Sequence, residues 1–160
     1  YARGFLEFPL EDWNQILEVN LAGTFLGCQV IGSEMIKRRS GSIINLASLY
    51  GVVSPNHRLY PGTGIHQPVA YSVSKAGVLA LTRYLATLWA DQGVRVNCIT
   101  PGGVFNGHAE LFATRFGALC PSGRMARPDE MRGALVYLAS SASSYCTGHN
   151  LVVDGGWTAR

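Results

Sequence analysis

Between Pro9 and Thr100 the chain alternates twice between a long stretch of helical apolar spacing and a short, dense apolar run, and this alternation restricts the fold more than any other feature. Pro9-Leu10-Glu11-Asp12-Trp13 opens the first helical pattern, with acids in the first turn where the helix dipole favours them. Apolar residues at Trp13, Ile16, Leu17, Leu21, Phe25 and Cys28 carry it on to about Arg39. Gly41-Ser42-Ile43-Ile44-Asn45-Leu46-Ala47-Ser48 then reads as a buried strand that ends in a hydroxyl. A second helical pattern runs from about Tyr71 to Asp91, with Val73, Ala76, Leu79, Leu81, Leu85 and Leu88 among its apolar positions. Gly93 ends it, and Val94–Thr100 is the next strand, breaking into a turn at Pro101-Gly102-Gly103-Val104. Strand, helix and strand in this order predict a parallel sheet with crossover connections, hence an α/β fold. Asn150–Val153, running into Asp154-Gly155-Gly156, is a third strand, and helices are expected near Ala109–Phe116 and from Arg127-Pro128-Asp129-Glu130 to about Leu138.

Chemistry enters with Tyr71-Ser72-Val73-Ser74-Lys75. Residues four apart lie on one face of a helix, so a phenol and an ammonium there are neighbours. A nearby cation favours the phenolate, which brings a tyrosine toward the working range of a general acid/base. Ser48 sits at the carboxyl end of its strand, where open parallel sheets bind ligands. Asn20 interrupts the apolar side of the first helix, and an asparagine inside a helix is unfavourable enough to require a reason.

Composition excludes several classes. With 160 residues, 48% hydrophobic and 14% charged, the chain supports one globular core and is too apolar for disorder. The formal charge of +3 comes from scattered arginines, and Lys37-Arg38-Arg39 suits a helix carboxyl end better than a nucleic acid. Cys28, Cys98, Cys120 and Cys146 are far apart and read as reduced thiols, while His57, His66, His108 and His149 lack metal-ligand spacing, so no metal is expected. No stretch reads as an uninterrupted membrane span, and the cytoplasm is the expected compartment.

The order Asn20, Ser48, Tyr71-x-x-x-Lys75, Asn97-x-x-x-Pro101-Gly102 and Gly148-x-x-Leu151-x-Val153-Asp154-Gly155-Gly156 resembles the short-chain dehydrogenase/reductase family. The resemblance covers essentially the whole chain and implies the carboxyl-terminal catalytic portion, residues 1–160, of a single Rossmann-type domain. The family's amino-terminal strand, glycine-rich turn and helix are not found; Gly62-Thr63-Gly64 follows no strand and reads as loop. An isolated chain of this kind is expected to expose a sheet edge, to aggregate or oligomerise, and to bind dinucleotide weakly.

The resemblance implies an NAD- or NADP-dependent interconversion of an alcohol and a carbonyl. Tyr71 would be the acid/base, Ser48 would hydrogen-bond the reacting oxygen, Lys75 would act on Tyr71 and on the nicotinamide ribose, and Asn20 would help hold a water chain leading to the lysine. Pro101, Gly102 and Val104 would line the nicotinamide, the glycine letting the backbone come close to a flat ring. Asn106 stands where the family commonly has threonine.

The segment between Ser48 and Tyr71 is longer than the family's common pattern, and its loop, Tyr50 to Gln67, holds Tyr50, Asn56, His57, Arg58, Tyr60 and His66. An insertion beside the serine should shape the substrate pocket, with Tyr50 and Arg58 as the expected contacts for a small hydroxylated or anionic substrate. Loop and carboxyl terminus look most like sugar-modifying oxidoreductases, including flagellin-modification types. A homo-oligomer is the expected assembly. The competing reading is a non-enzymatic remnant that uses the small-residue faces of its two long helices, including Ser74, Gly77 and Ala80, as an interaction module.

Overall fold

The computed structural model describes residues 4–159. Three strands, β1 (Gly41–Leu46), β2 (Val94–Pro101) and β3 (Asn150–Val153), form one parallel sheet in the order β1-β2-β3. Ile43 pairs in register with Val96 and Leu46 with Ile99, while Pro101 pairs with Val153. The Rossmann-type α/β expectation therefore holds. Leu46 and Pro101 close β1 and β2 at the same end of the sheet, which is where the motif residues gather.

Helices cover both faces of the sheet. On one face, α2 (Gly23–Lys37) and α3 (Val69–Trp89) pack onto Ile43, Val94, Val96 and Cys98, with Trp89, Leu85 and Cys28 in the same cluster. The alternate strand residues Ser42 and Arg95 face α5 (Arg132–Ala139), as the two-residue period of a strand requires. The Arg95 guanidinium donates to the carbonyls of Leu138 and Ser140 and to the Ser143 hydroxyl, placing a cation on the carboxyl end of α5 where the dipole favours it.

The first helix is not uniform. Helix α1 (Leu10–Leu17) passes through a π-helical turn, Glu18–Ala22, before continuing as α2. The extra residue of a π turn breaks the helical register, and such turns are frequent at functional sites. Ile16 and Cys28 face the interior as expected, whereas Phe25 is 46% exposed. Taken together, Leu10–Lys37 is long and apolar enough to cross a bilayer by length and composition, contrary to the reading from sequence. Its hydropathy is carried partly by Phe25, Leu26, Val30 and Ile31, which are exposed on its outer side.

A second core sits beyond the carboxyl ends of the strands. Leu49, Leu59, Phe112, Phe116, Cys120, Met125 and Trp157 join the loop after β1 to α4 (Glu110–Leu119) and to the turn after β3. Phe116 stacks on Trp157 at 4.4 Å between centroids, and Phe112 continues the ladder to His108 at 5.3 Å and Tyr60 at 5.9 Å. The long loop is thus anchored to a folded core through Leu59, which is fully buried.

Candidate active site

Tyr71 lies in the first turn of α3, where its amide donates to the Pro68 carbonyl at 3.1 Å. Lys75 follows one turn later, with Nζ 5.7 Å from the centroid of the Tyr71 ring, as the four-residue spacing requires. The ammonium donates to the Leu46 carbonyl at 2.9 Å, so α3 is tied to the carboxyl end of β1. Burial pushes the Lys75 pKa below the usual lysine value, while the Cys98 thiol acts in the opposite direction. Cys98 itself is held up at about 11, chiefly by burial, and is therefore a protonated, unreactive thiol near neutrality.

Ser48 is buried two residues beyond β1 and starts a 3-10 turn, Leu49–Gly51. Its Oγ accepts the Tyr50 amide at 3.2 Å, which occupies a lone pair and leaves the hydroxyl proton for another acceptor. The turn docks directly on α3. A Cβ on Gly51 would lie 2.7 Å from the Lys75 carbonyl carbon and 2.9 Å from the Ala76 nitrogen, both backbone atoms, so only glycine permits this approach. Gly51 thereby fixes the Ser48 segment against the helix that carries Tyr71 and Lys75.

The π turn supplies a reason for Asn20. Its Nδ2 donates to Ser74 Oγ at 3.2 Å, and Ser74 Oγ donates to the Tyr71 carbonyl at 2.7 Å. Thr24 meanwhile donates to the Asn20 carbonyl at 2.7 Å. Leu21, its neighbour in the same turn, lies where a Cβ on Gly77 would meet it at 2.9 Å. The small residues Ser74 and Gly77 therefore receive the first helix of the same chain rather than a separate partner.

The backbone after β2 prepares the other side. Gly102 lies so close to Asp154 that a Cβ would stand 2.7 Å from the Asp154 Cα, which ties the Pro101-Gly102 turn to the Asp154-Gly155-Gly156 turn. Asp154 is structural. Burial works against its charge, but hydrogen bonds from Thr158 and from the Gly156 amide hold its carboxyl below the usual range. Val104 bridges Ala126 through bonds made by the Gly103 carbonyl and the Phe105 amide, which leaves the amide and carbonyl of Val104 itself out of that ladder. Asn106 is exposed, its amide donating to His108 Nδ1 at 3.2 Å.

Two hollows flank these residues. A groove of about 470 Å³ along β1 is lined by Asn20, Thr24, Asn45, Leu46 and Lys75. A larger cavity, about 840 Å³, is lined by Tyr50, His57, Tyr60, His66, Gln67 and Ser72 among others. Tyr71 and Ser48 line neither, while their chain neighbours Tyr50 and Ser72 line the cavity and Lys75 lines the groove. Arg58 departs from the sequence-based picture: its side chain is exposed and lines neither hollow, because the 3-10 turn His57–Leu59 turns Leu59 into the core and Arg58 outward. Tyr60, His66 and Gln67 of the same loop do line the larger cavity. Ser72, immediately after Tyr71 and one step off the Tyr-Lys face, also lines the larger cavity, a placement that the sequence reading did not single out.

Comparison with known proteins decides the family. The model of the family described as enoyl-(acyl carrier protein) reductase, a short-chain dehydrogenase/reductase grouping, matches residues 1–158. This chain belongs to the short-chain dehydrogenase/reductase family. D-threitol dehydrogenase of Mycolicibacterium smegmatis is 41% identical over 159 residues, covering 96% of this chain and 57% of the relative. A short-chain dehydrogenase of Leptospira borgpetersenii with bound NAD+ superposes with a TM-score of 0.92 at 38% identity, covering 99% of this chain and 61% of that one. A gluconate 5-dehydrogenase of Burkholderia cenocepacia in complex with NADP and tartrate gives 0.89 at 29% identity, covering 100% and 61%. This short-chain dehydrogenase chain spans about three-fifths of the length of the relatives it matches.

Its donor set fits the nicotinamide-ribose half of a dinucleotide: a phenol at Tyr71, an ammonium at Lys75, and backbone groups at Val104 beside the closely packed Pro101-Gly102 turn. Among the described residues no glycine-rich strand-to-helix turn offers amides to the pyrophosphate half.

Proposed function

We propose that this chain is the catalytic, substrate-binding portion of an NAD- or NADP-dependent oxidoreductase that interconverts a secondary alcohol and a carbonyl on a small polyol or sugar-like substrate. The observation that carries the reading is the Tyr71–Lys75 pair on α3, docked by Gly51 against the turn of Ser48. In reduction Tyr71 gives its phenolic proton to the carbonyl oxygen, and in oxidation the phenolate takes the alcohol proton. Ser48 donates its free proton to the same oxygen as charge develops there. Lys75 holds positive charge beside Tyr71 and binds the nicotinamide ribose, while Val104 contributes backbone groups to the carboxamide and Asn106 lies at the rim of that loop. Asn20, through Ser74, fixes the helix turn that carries Tyr71. The dinucleotide, when bound, supplies the hydride chemistry.

The substrate class rests on the cavity lining and on the names of the relatives, a threitol dehydrogenase and a gluconate dehydrogenase crystallised with tartrate. We place the enzyme in the cytoplasm, in keeping with its four free cysteines. It works as a homo-oligomer. Phe25, Leu26, Val30 and Ile31 on α2 and Tyr84 and Leu88 on α3 are exposed apolar side chains on the two long helices, which a second copy would cover.

The test is an absorbance assay at 340 nm of the native gene product carrying this chain, offered threitol, arabinitol and gluconate with NAD+ or NADP+. Turnover that Tyr71→Phe abolishes is expected. Absence of turnover with every pair, together with a stable dimer through α2 and α3, would favour the interaction-module reading instead.

A further inference from the structure

The loop between Ser48 and Tyr71 brings two phenols together. Tyr50 and Tyr60 are joined hydroxyl to hydroxyl at 2.6 Å, and both line the 840 Å³ cavity. Each phenol has one proton to donate. Their mutual bond uses one of the two, so the pair retains one donor and free lone pairs, which together match a single alcohol group. Burial raises the pKa of both phenols, which keeps the pair neutral, and Ser72, next to Tyr71 in α3, lines the same cavity.

The pair is held in place. Arg115 of α4 donates to the Leu59 carbonyl at 3.2 Å and to the Pro61 carbonyl, gripping the backbone on either side of Tyr60. Thr63 donates to the Tyr60 carbonyl at 2.6 Å, and the Tyr60 ring packs against Phe112 at 5.9 Å. Groups fixed in this way lose little entropy when they meet a ligand. In the same cavity the Ser72 hydroxyl is buried with no hydrogen-bond partner among the described residues, a second polar group lacking a counterpart.

We propose that Tyr60, paired with Tyr50, is the specificity-determining residue of this site and receives a further hydroxyl of a neutral polyol whose neighbouring alcohol carbon reacts at Tyr71. The proposal rests on the alcohol-oxidising reading above. The tyrosine pair itself suits a carboxylate less well than an alcohol, since a carboxylate offers lone pairs only and the pair supplies one neutral donor, although His57 and His66 also line the cavity. Arg58, the cation nearest in sequence, is exposed and outside the cavity lining.

The experiment compares 2-butanol, 2,3-butanediol and threitol as substrates of the native gene product carrying this chain, with and without Tyr60→Phe. The phenylalanine keeps the packing on Phe112 and removes one hydroxyl. KM for 2,3-butanediol and threitol should rise roughly tenfold, the size of one neutral hydrogen bond, with KM for 2-butanol moving far less and kcat within about twofold. Equal KM changes for all three substrates, or a common fall in kcat, would show a purely structural pair and overturn the proposal while leaving the reaction intact. Failure of the unmodified protein to oxidise any of the three would overturn the reaction itself and the proposal with it. Should Tyr60→Phe not fold, as judged by its melting transition, Tyr50→Phe carries the same test with the same expected split.

Discussion

The Lys75 ammonium and the Leu46 carbonyl meet at 2.9 Å, so the residue that stands beside Tyr71 also fastens α3 to the end of the first strand. One side chain thereby links the sheet, α3 and the phenol it faces at 5.7 Å. Lys75→Met keeps the stem and removes both the charge and the tie. Turnover should fall roughly a hundredfold or more, the usual scale for losing acid/base support. Stability should fall by about 1 kcal/mol for the lost hydrogen bond. Steady-state kinetics beside urea denaturation separates the two effects, and a variant with near-native turnover would remove Lys75 from the chemistry.

Gly51 makes a different kind of demand. Its backbone lies against the backbone of Lys75 and Ala76, so a methyl group has no flexible neighbour to push aside. Gly51→Ala should destabilise the protein by about 1–3 kcal/mol, as overpacking does, and should lower kcat because Ser48 is displaced from Tyr71. Chemical denaturation together with kcat measures both. An alanine variant with unchanged stability and turnover would mean that the Ser48 turn is not fixed by this contact.

Glu130 offers a test by pH. It accepts two hydrogen bonds from the Arg124 guanidinium, at 2.7 and 2.8 Å, and one from the Arg127 amide, and these, the Arg124 bonds foremost, hold its carboxyl down to about 2. Because the folded value lies below the unfolded one, the contribution to stability is complete above about pH 4.5 and is lost as pH falls toward 2. The pair is solvent-exposed, so the effect is modest and weakened by salt. Melting temperatures of the wild type and Glu130→Gln should differ at neutral pH and converge through that acidic window. A gap that stays constant from pH 7 to pH 2 would rule out the titration of Glu130 as its cause.

Local pattern made much of this protein legible without coordinates. The helical spacing and dense apolar runs located all three strands and both long helices to within a few residues, because side-chain periodicity is set by backbone geometry alone. The four-residue interval between Tyr71 and Lys75 placed their side chains together for the same reason, and Ser48 followed from its position at the end of a strand. Asn20 stood out as a helical residue without a local justification.

The justification itself was tertiary. A π turn at Glu18–Ala22 leaves no periodic trace in five residues, and it takes its meaning from Ser74 on another helix, 54 residues away. The loop after Ser48 was legible as an insertion near the substrate, yet which of its side chains turn inward was decided by Leu59 entering the aromatic core and by Arg115 gripping the carbonyls around Tyr60. That packing turned Arg58 outward and brought Tyr60 to Tyr50. The sequence determined which residues stand together at the end of the sheet, since four-residue spacing and strand ends are local geometry. Only the tertiary structure decided which loop residues line the cavity, because a loop has no period of its own and takes its orientation from the core that anchors it.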